Sequence, residues 1–357
     1  MIPRKTINSL LVFILCTTEA HMMSFSVALE NFDEQFHTTA QEEYSGLDRA
    51  LFFDSTILKQ PPLMRKLLNE DGYNFSTITS DGVTIHGTLF NHQSTTLLVV
   101  GPGFPTPRER MAPFLALFRN YDVVLFDYRG QGLDQNPSSL LGAATYNCFS
   151  VDMLTTCLGT KEALDVLAIV QAVKTKKNYA NVYGVGLCYS SFIFAQAAAQ
   201  QPDLFDKLIL DGCWPSLVKV IKHIAANPSL VCSKHPPSSP WPSLTHSNWF
   251  LDTTSSLVGW LTQIDLEQLP TIDHYLQQCT MPILFFQCNN DCYCSKEEFE
   301  QLLQATGSEK KACITTNNIH GQNYQKDKHA YALISNYFFD EDFFAFKKWL
   351  TTHQKPT

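Results

Sequence analysis

The residues from Asn181 to Gln200, NVYGVGLCYSSFIFAQAAAQ, leave this chain few ways to fold. Val182 to Leu187 is a short apolar run of the length of a buried strand. Ser190 to Gln200 is rich in alanine and other good helix formers. Only Leu187, Cys188 and Tyr189 lie between them, so a strand turns into a helix with no loop to speak of. A bend that sharp strains the residue at its apex and lifts its side chain clear of the sheet. Strand and helix can pass each other only over small residues, which Gly184, Gly186, Ser190 and Ser191 supply.

The rest of the chain repeats the alternation. Tyr73 to Thr79 and Val83 to Phe90 are β-rich runs joined by the turn residues Ser80-Asp81-Gly82, which predicts an antiparallel edge pair. Further strands are expected at Thr95 to Val100, Tyr121 to Tyr128, Lys207 to Leu210, Met281 to Gln287 and Ala312 to Thr316. Helices are expected at Arg108 to Arg119, at Phe343 to Thr351, and from Thr160 as N-cap through Ala163, Val166, Leu167, Val170 and Val173. Strands alternating with helices predict an α/β protein: a mostly parallel sheet with helices on both faces. Arg129-Gly130-Gln131-Gly132 lacks the full dinucleotide pattern and reads as a structural turn, and Gly101-Pro102-Gly103-Phe104-Pro105 matches no phosphate-binding fingerprint.

Gly186-Leu187-Cys188-Tyr189-Ser190 has the spacing of the G-x-S-x-G nucleophile elbow, with cysteine in place of the serine and Ser190 in place of the last glycine. On this pattern, from about Asp81 to the C-terminus, the chain resembles the α/β-hydrolase superfamily. A cysteine at the elbow is similar to dienelactone hydrolase, while the surrounding sequence looks more like serine-aminopeptidase, esterase and acyltransferase-type members. The resemblance implies an α/β-hydrolase core over 73–216 and 281–357, with a helical cap or lid inserted at 217–280. Between Trp214 and Cys279 there is no strand pattern, but several prolines and most of the tryptophans fall there. Trp241, Trp249, Phe250 and Trp260 would line an acyl pocket under such a cap, or else form the cap's own small core.

The resemblance also assigns a catalytic set. Cys188 would be the nucleophile at a helix N-terminus, where the partial positive charge favours a thiolate. Asp291, in the loop after Met281 to Phe286, would be the acid, with Asp211 as the alternative at the end of the preceding strand. His320, after the last strand and before Gly321, would be the base, in the chain order nucleophile, acid, histidine. The amides of Tyr189 and Phe104 would form the oxyanion hole, Phe104 standing in the turn where Pro102-Gly103 matches the family's His-Gly phrase.

Composition limits the partners. Among 357 residues the net charge is -8, with no dense basic patch to neutralise phosphates, so no nucleic acid is expected. Arg4 and Lys5 precede the apolar run Leu10 to Cys16, followed by Thr18-Glu19-Ala20 and Ser26-Val27-Ala28 as cleavage sites. Residues 1–28 therefore read as a signal peptide or leader and predict export to the periplasm or outside, with a cytoplasmic location as the alternative. The run is too short to span a membrane, so no stable membrane span is expected. Residues 29–72 read as an N-terminal helical extension. Of the 11 cysteines ten remain beyond Cys16, and if Cys188 stays free the other nine cannot all pair internally. Cys288, Cys292 and Cys294 lie near enough for a disulfide, but lack the paired C-x-x-C spacing of a zinc site, so neither metal nor cofactor is expected.

The sequence thus points to a hydrolase acting on ester, thioester or similar acyl bonds of a small-molecule substrate through a Cys-His-Asp triad and a covalent acyl-enzyme. Two alternatives stand beside it: an acyltransferase, and a non-catalytic α/β-hydrolase-like binding protein.

Overall fold

A computed structural model describes residues 71–132, 155–220 and 271–353, apart from 105, 158 and 327, together with 256 and 269. The expected leader at 1–28, nearly all of the extension at 29–72, most of the cap at 217–280, and Trp241, Trp249, Phe250 and Trp260 lie outside the described residues.

Eight strands form one sheet. They are β1 (Tyr73–Ile78), β2 (Thr84–Phe90), β3 (Thr96–Gly101), β4 (Asp122–Phe126), β5 (Asn181–Leu187), β6 (Lys207–Asp211), β7 (Ile283–Asn290) and β8 (Lys311–Ile319). Their spatial order is β1-β2-β4-β3-β5-β6-β7-β8. β1 pairs antiparallel with β2, and β2 with β4, while every pair from β4 onward is parallel. The hairpin expected around Ser80-Asp81-Gly82 is present, with Gly82 at φ +86°.

Both faces of the sheet are covered, which is why its strands read as near-continuous apolar runs rather than alternating ones. Leu97, Val99, Val124, Phe126 and Val182 point into one apolar cluster, with α2 (Ala163–Lys174) and α3 (Tyr189–Gln200) packed against them. Leu98, Val100, Val123, Leu125, Val185 and Leu187 point the other way, toward α1 (Pro113–Leu117), α7 (Lys328–Asp340) and α8 (Phe343–His353). Burying a side chain of this size contributes roughly 1.5–3 kcal/mol, and the strands place such side chains on both faces of the sheet. Among the described residues the remaining α-helices are α4 (Ile272–Leu276), α5 (Lys296–Ala305) and α6 (Asn323–Lys326).

Local expectations are corrected in three places. The helix expected over Arg108 to Arg119 is split into a 3-10 turn, Arg108–Met111, and α1. Pro113 stands at the start of α1 and has no N–H to continue a helix through it. Thr160 is not the N-cap of α2, because its hydroxyl donates to the Cys157 carbonyl at 2.7 Å. Glu162 orders that approach instead, its carboxylate accepting the amides of Cys157 at 2.9 Å and Gly159 at 2.9 Å. The eight described cysteines, Cys288, Cys292 and Cys294 among them, are all unpaired.

Arg129 is structural, as its turn suggested. The buried guanidinium bonds Asp165 at 2.7 and 2.9 Å and Asp81 at 2.7 and 3.1 Å. The Arg129 hydrogen bond holds Asp81 down at about 2. A buried charge so fully paired fixes the turn after β4 against the hairpin and α2, and removing one partner of such a set typically costs about 3–5 kcal/mol.

Candidate active site

The junction of β5 and α3 is the bend the sequence required. Cys188 has φ 51° and ψ -107°, a left-handed conformation that a non-glycine residue adopts only under constraint. The constraint is visible. Its N–H donates to the Asp211 carbonyl at 2.7 Å, and its carbonyl accepts the Ser191 amide at 3.0 Å. A Cβ on Gly186 would lie 2.7 Å from the Ser190 carbonyl oxygen, so only glycine lets the strand pass under the helix start. Ser191 donates to the Gly186 carbonyl at 2.8 Å and ties the two together.

His320 follows β8, and its Nδ1 lies 2.8 Å from Asp291 Oδ2. Asp291 is buried and is itself oriented, accepting the Tyr293 amide at 2.8 Å and the Gln287 side-chain amide at 3.1 Å. With Nδ1 committed to Asp291, Nε2 is the nitrogen left to meet the thiol, and it is buried without a closed hydrogen bond. Burial works against the imidazolium. The neighbouring Cys188 and Asp291 side chains outweigh it, so the His320 pKa is held well above the ordinary value. The elbow reaches this ring through the next strand end: the Cys188 N–H is bonded to the Asp211 carbonyl, and the residue after Asp211, Gly212, lies against His320. The imidazole and carboxylate expected from the sequence are brought to hydrogen-bond distance, and the Cys188 elbow is bonded to the adjacent strand end at Asp211.

Two neighbours that sequence reasoning missed hold the imidazole. Gly212, at φ +73°, lies under the ring: a Cβ there would be 2.9 Å from His320 Cε1 and 3.2 Å from Nδ1. The Tyr293 ring stands perpendicular to it, with centroids 4.6 Å apart. The signal for Gly212 was its place directly after the strand ending in Asp211. Tyr293 left no signal beyond its closeness to Asp291.

Asp211 is placed otherwise. Its Oδ1 accepts from Asn323 Nδ2 at 2.7 Å, and it makes no hydrogen bond to His320. Burial pushes its carboxyl up to about 7, against the pull of Asn323 and His320. Asn323, also missed from sequence, accepts in turn from Thr316 at 2.6 Å.

The turn after β3 closes the other side. A Cβ on Gly103 would lie 3.5 Å from Cys188 Cβ, so this turn is in contact with the elbow. The Phe104 and Tyr189 rings pack together with centroids 5.4 Å apart. The Gly103 carbonyl accepts the Thr106 amide at 2.8 Å, which closes the turn that carries Phe104. No group of three or more metal-ligating side chains occurs among the described residues, and no helix among them is long and apolar enough to cross a membrane.

Residues 96–231 match a family model described as alpha/beta hydrolase fold. No curated protein sequence matches the chain. Among solved structures, an esterase of Pyrococcus furiosus superposes with a TM-score of 0.57 at 15% identity, over 77% of this chain and 92% of that one. DcsB, solved in complex with its substrate analogue, gives a TM-score of 0.52 at 15% identity, over 75% of this chain and 97% of that one. Strand order, elbow and matched segment agree: the chain is an α/β-hydrolase-fold protein.

Proposed function

We propose that the protein is an enzyme of acyl transfer to water, a hydrolase of ester, thioester or similar acyl bonds that works through Cys188, His320 and Asp291. The observation that carries the reading is the buried 2.8 Å His320–Asp291 pair set beside a cysteine held at positive φ on the elbow. Esterases among the proteins of like fold support the same class.

Sγ of Cys188 attacks the carbonyl carbon while His320 Nε2 takes the thiol proton. A C–S bond forms, and the carbonyl π electrons move onto oxygen. The amides of Tyr189 and Phe104 stabilise that oxyanion. Collapse expels the alkoxide or thiolate, which leaves with the proton from His320. Water then attacks the thioester, His320 takes its proton, and the C–S bond breaks to return the thiol and release the acid. Asp291 holds the Nδ1 proton throughout, so the reactive nitrogen is always Nε2. An acceptor other than water would make the same site a transferase.

The test is hydrolysis of a short-chain chromogenic ester and the matching thioester by the wild type and Cys188→Ala. The variant is expected to lose at least about 10³-fold in kcat/KM. Undiminished turnover in Cys188→Ala would overturn the mechanism.

A further inference from the structure

Ser190 stands where the elbow pattern has glycine, fully buried. Its Oγ lies 2.6 Å from the Pro102 carbonyl oxygen and 2.8 Å from the Tyr128 hydroxyl. A serine hydroxyl has one proton and a carbonyl can only accept, so the Ser190 proton goes to Pro102. Tyr128 is then the donor to Ser190. Burial pushes the Tyr128 phenol well above its ordinary range, so it remains protonated to serve as that donor. Its ring is fixed edge-on between Phe126, at 5.0 Å, and Tyr189, at 5.6 Å.

We propose that Tyr128 and Ser190 are positioning residues for the turn that carries the Phe104 amide. The chain of donors runs from Tyr128 through Ser190 to the Pro102 carbonyl, in the peptide directly before the one that carries the Phe104 N–H. Contact reinforces it, since a Cβ on Gly101 would be 2.4 Å from Ser190 Oγ. The turn is thereby tied to the first residues of α3, the segment that also supplies Cys188 and the Tyr189 amide. The two N–H groups of the oxyanion site are set at one spacing by a side chain touching neither substrate nor thiol. Glycine at 190 would relieve the crowding but leave the Pro102 carbonyl without this donor. The inference rests on the acyl-transfer reading and deepens it.

The experiment compares Ser190→Ala, Ser190→Gly and Tyr128→Phe with the wild type. Steady-state hydrolysis of a short-chain chromogenic ester gives kcat and KM, and iodoacetamide trapping of Cys188 reports the thiol–imidazole pair alone. Both Ser190 variants are expected to lose roughly 10–100-fold in kcat with KM within about threefold, in line with a displaced oxyanion donor. Their alkylation rate is expected to stay within about twofold of wild type, because neither the thiol nor His320 is touched. Tyr128→Phe keeps the Ser190–Pro102 bond and is expected to show a smaller loss of the same kind. Wild-type kcat in all three variants overturns the proposal. So does a parallel fall of kcat and alkylation rate, which marks disruption of the whole elbow. Full activity in Cys188→Ala sinks the underlying mechanism instead, and is read from a different variant.

Discussion

Gly212→Ala tests whether the imidazole is held as described. The substitution adds one methyl group at φ +73°, with its carbon 2.9 Å from His320 Cε1 and 3.2 Å from Nδ1. Carbon atoms sit comfortably at about 3.5–4.0 Å, so ring or backbone must yield by roughly half an ångström or more. The ring has little room to yield, because Asp291 grips Nδ1 at 2.8 Å and Tyr293 stands against it. A misplacement of about 1 Å can cost 10²-fold in rate, which puts the expected loss in kcat/KM at about 10–100-fold. The left-handed backbone adds about 1–2 kcal/mol of instability for any L side chain.

A control separates the two effects. Gly82 has φ +86° with nothing within 4 Å of an added Cβ, so Gly82→Ala carries the backbone strain without the contact. Both variants are expected to lose similar stability in urea melts. Only Gly212→Ala is expected to lose ester hydrolysis and to slow alkylation of Cys188. Equal, wild-type kcat/KM in both variants would refute the packing argument and the place it gives His320.

The two candidate acids are expected to separate cleanly. Asp291→Asn places an amide opposite Nδ1, disturbs the tautomer, and is expected to cost roughly 10²–10⁴-fold in kcat/KM, measured as initial rates near neutral pH. Asp211→Asn keeps a side-chain oxygen to accept from Asn323, so kcat/KM is expected to stay within about threefold; a collapse to the Asp291→Asn level would reassign the acid. Stability distinguishes Asp211 further. Its folded pKa is raised from 3.8 to about 7 by burial, so the stabilisation from its bound proton is complete below 3.8 and is lost as pH rises through about 7. About three units at roughly 1.4 kcal/mol each give an upper limit of about 4 kcal/mol for that loss. His320, also shifted upward, acts with the same sign and remains in the variant. Urea melts at about pH 5 and about pH 8 should therefore show Asp211→Asn gaining on wild type at the higher pH, and a constant difference would contradict a protonated Asp211.

Much of this was legible because it is local. The elbow follows from chain geometry over a few residues, and Cys188 takes the positive φ that the missing loop demands. His320 and Asp291 were expected as a pair from chain order, which the parallel sheet converts into adjacency. What escaped is long-range or a matter of competing partners. Gly212 against His320, and Ser190 of α3 on Pro102, are contacts between segments far apart in sequence that no periodicity encodes. β7 and β8 were expected to stop at Gln287 and Thr316, yet they run to Asn290 and Ile319. Asparagine is a poor strand former, but here Asn289 and Asn290 bond Asn317 across the pair at 2.9 Å each, and the ladder extends past the sheet edge. That extension delivers both the Asp291 loop and His320.

The site is therefore a property of strand register rather than of any one loop. Gly103 follows β3, Cys188 follows β5, Gly212 follows β6, Asp291 follows β7 and His320 follows β8, and these five strands are consecutive neighbours in the sheet. Their pairing sets the depth of each end: Gly101 opposite Gly186, Leu187 opposite Asp211, Asp211 opposite Phe286, Asn290 opposite Ile319. A slip of one residue in any pair would displace its side chain by about 3.3 Å, more than a hydrogen bond can stretch. The antiparallel β1 and β2 lie beyond β4 at one edge, outside that run of five. Ligand sites in open parallel sheets form outside the carboxyl ends of the strands. Here the reason is mechanical, since the carboxyl ends of a paired parallel run are where residues far apart in sequence are brought side by side.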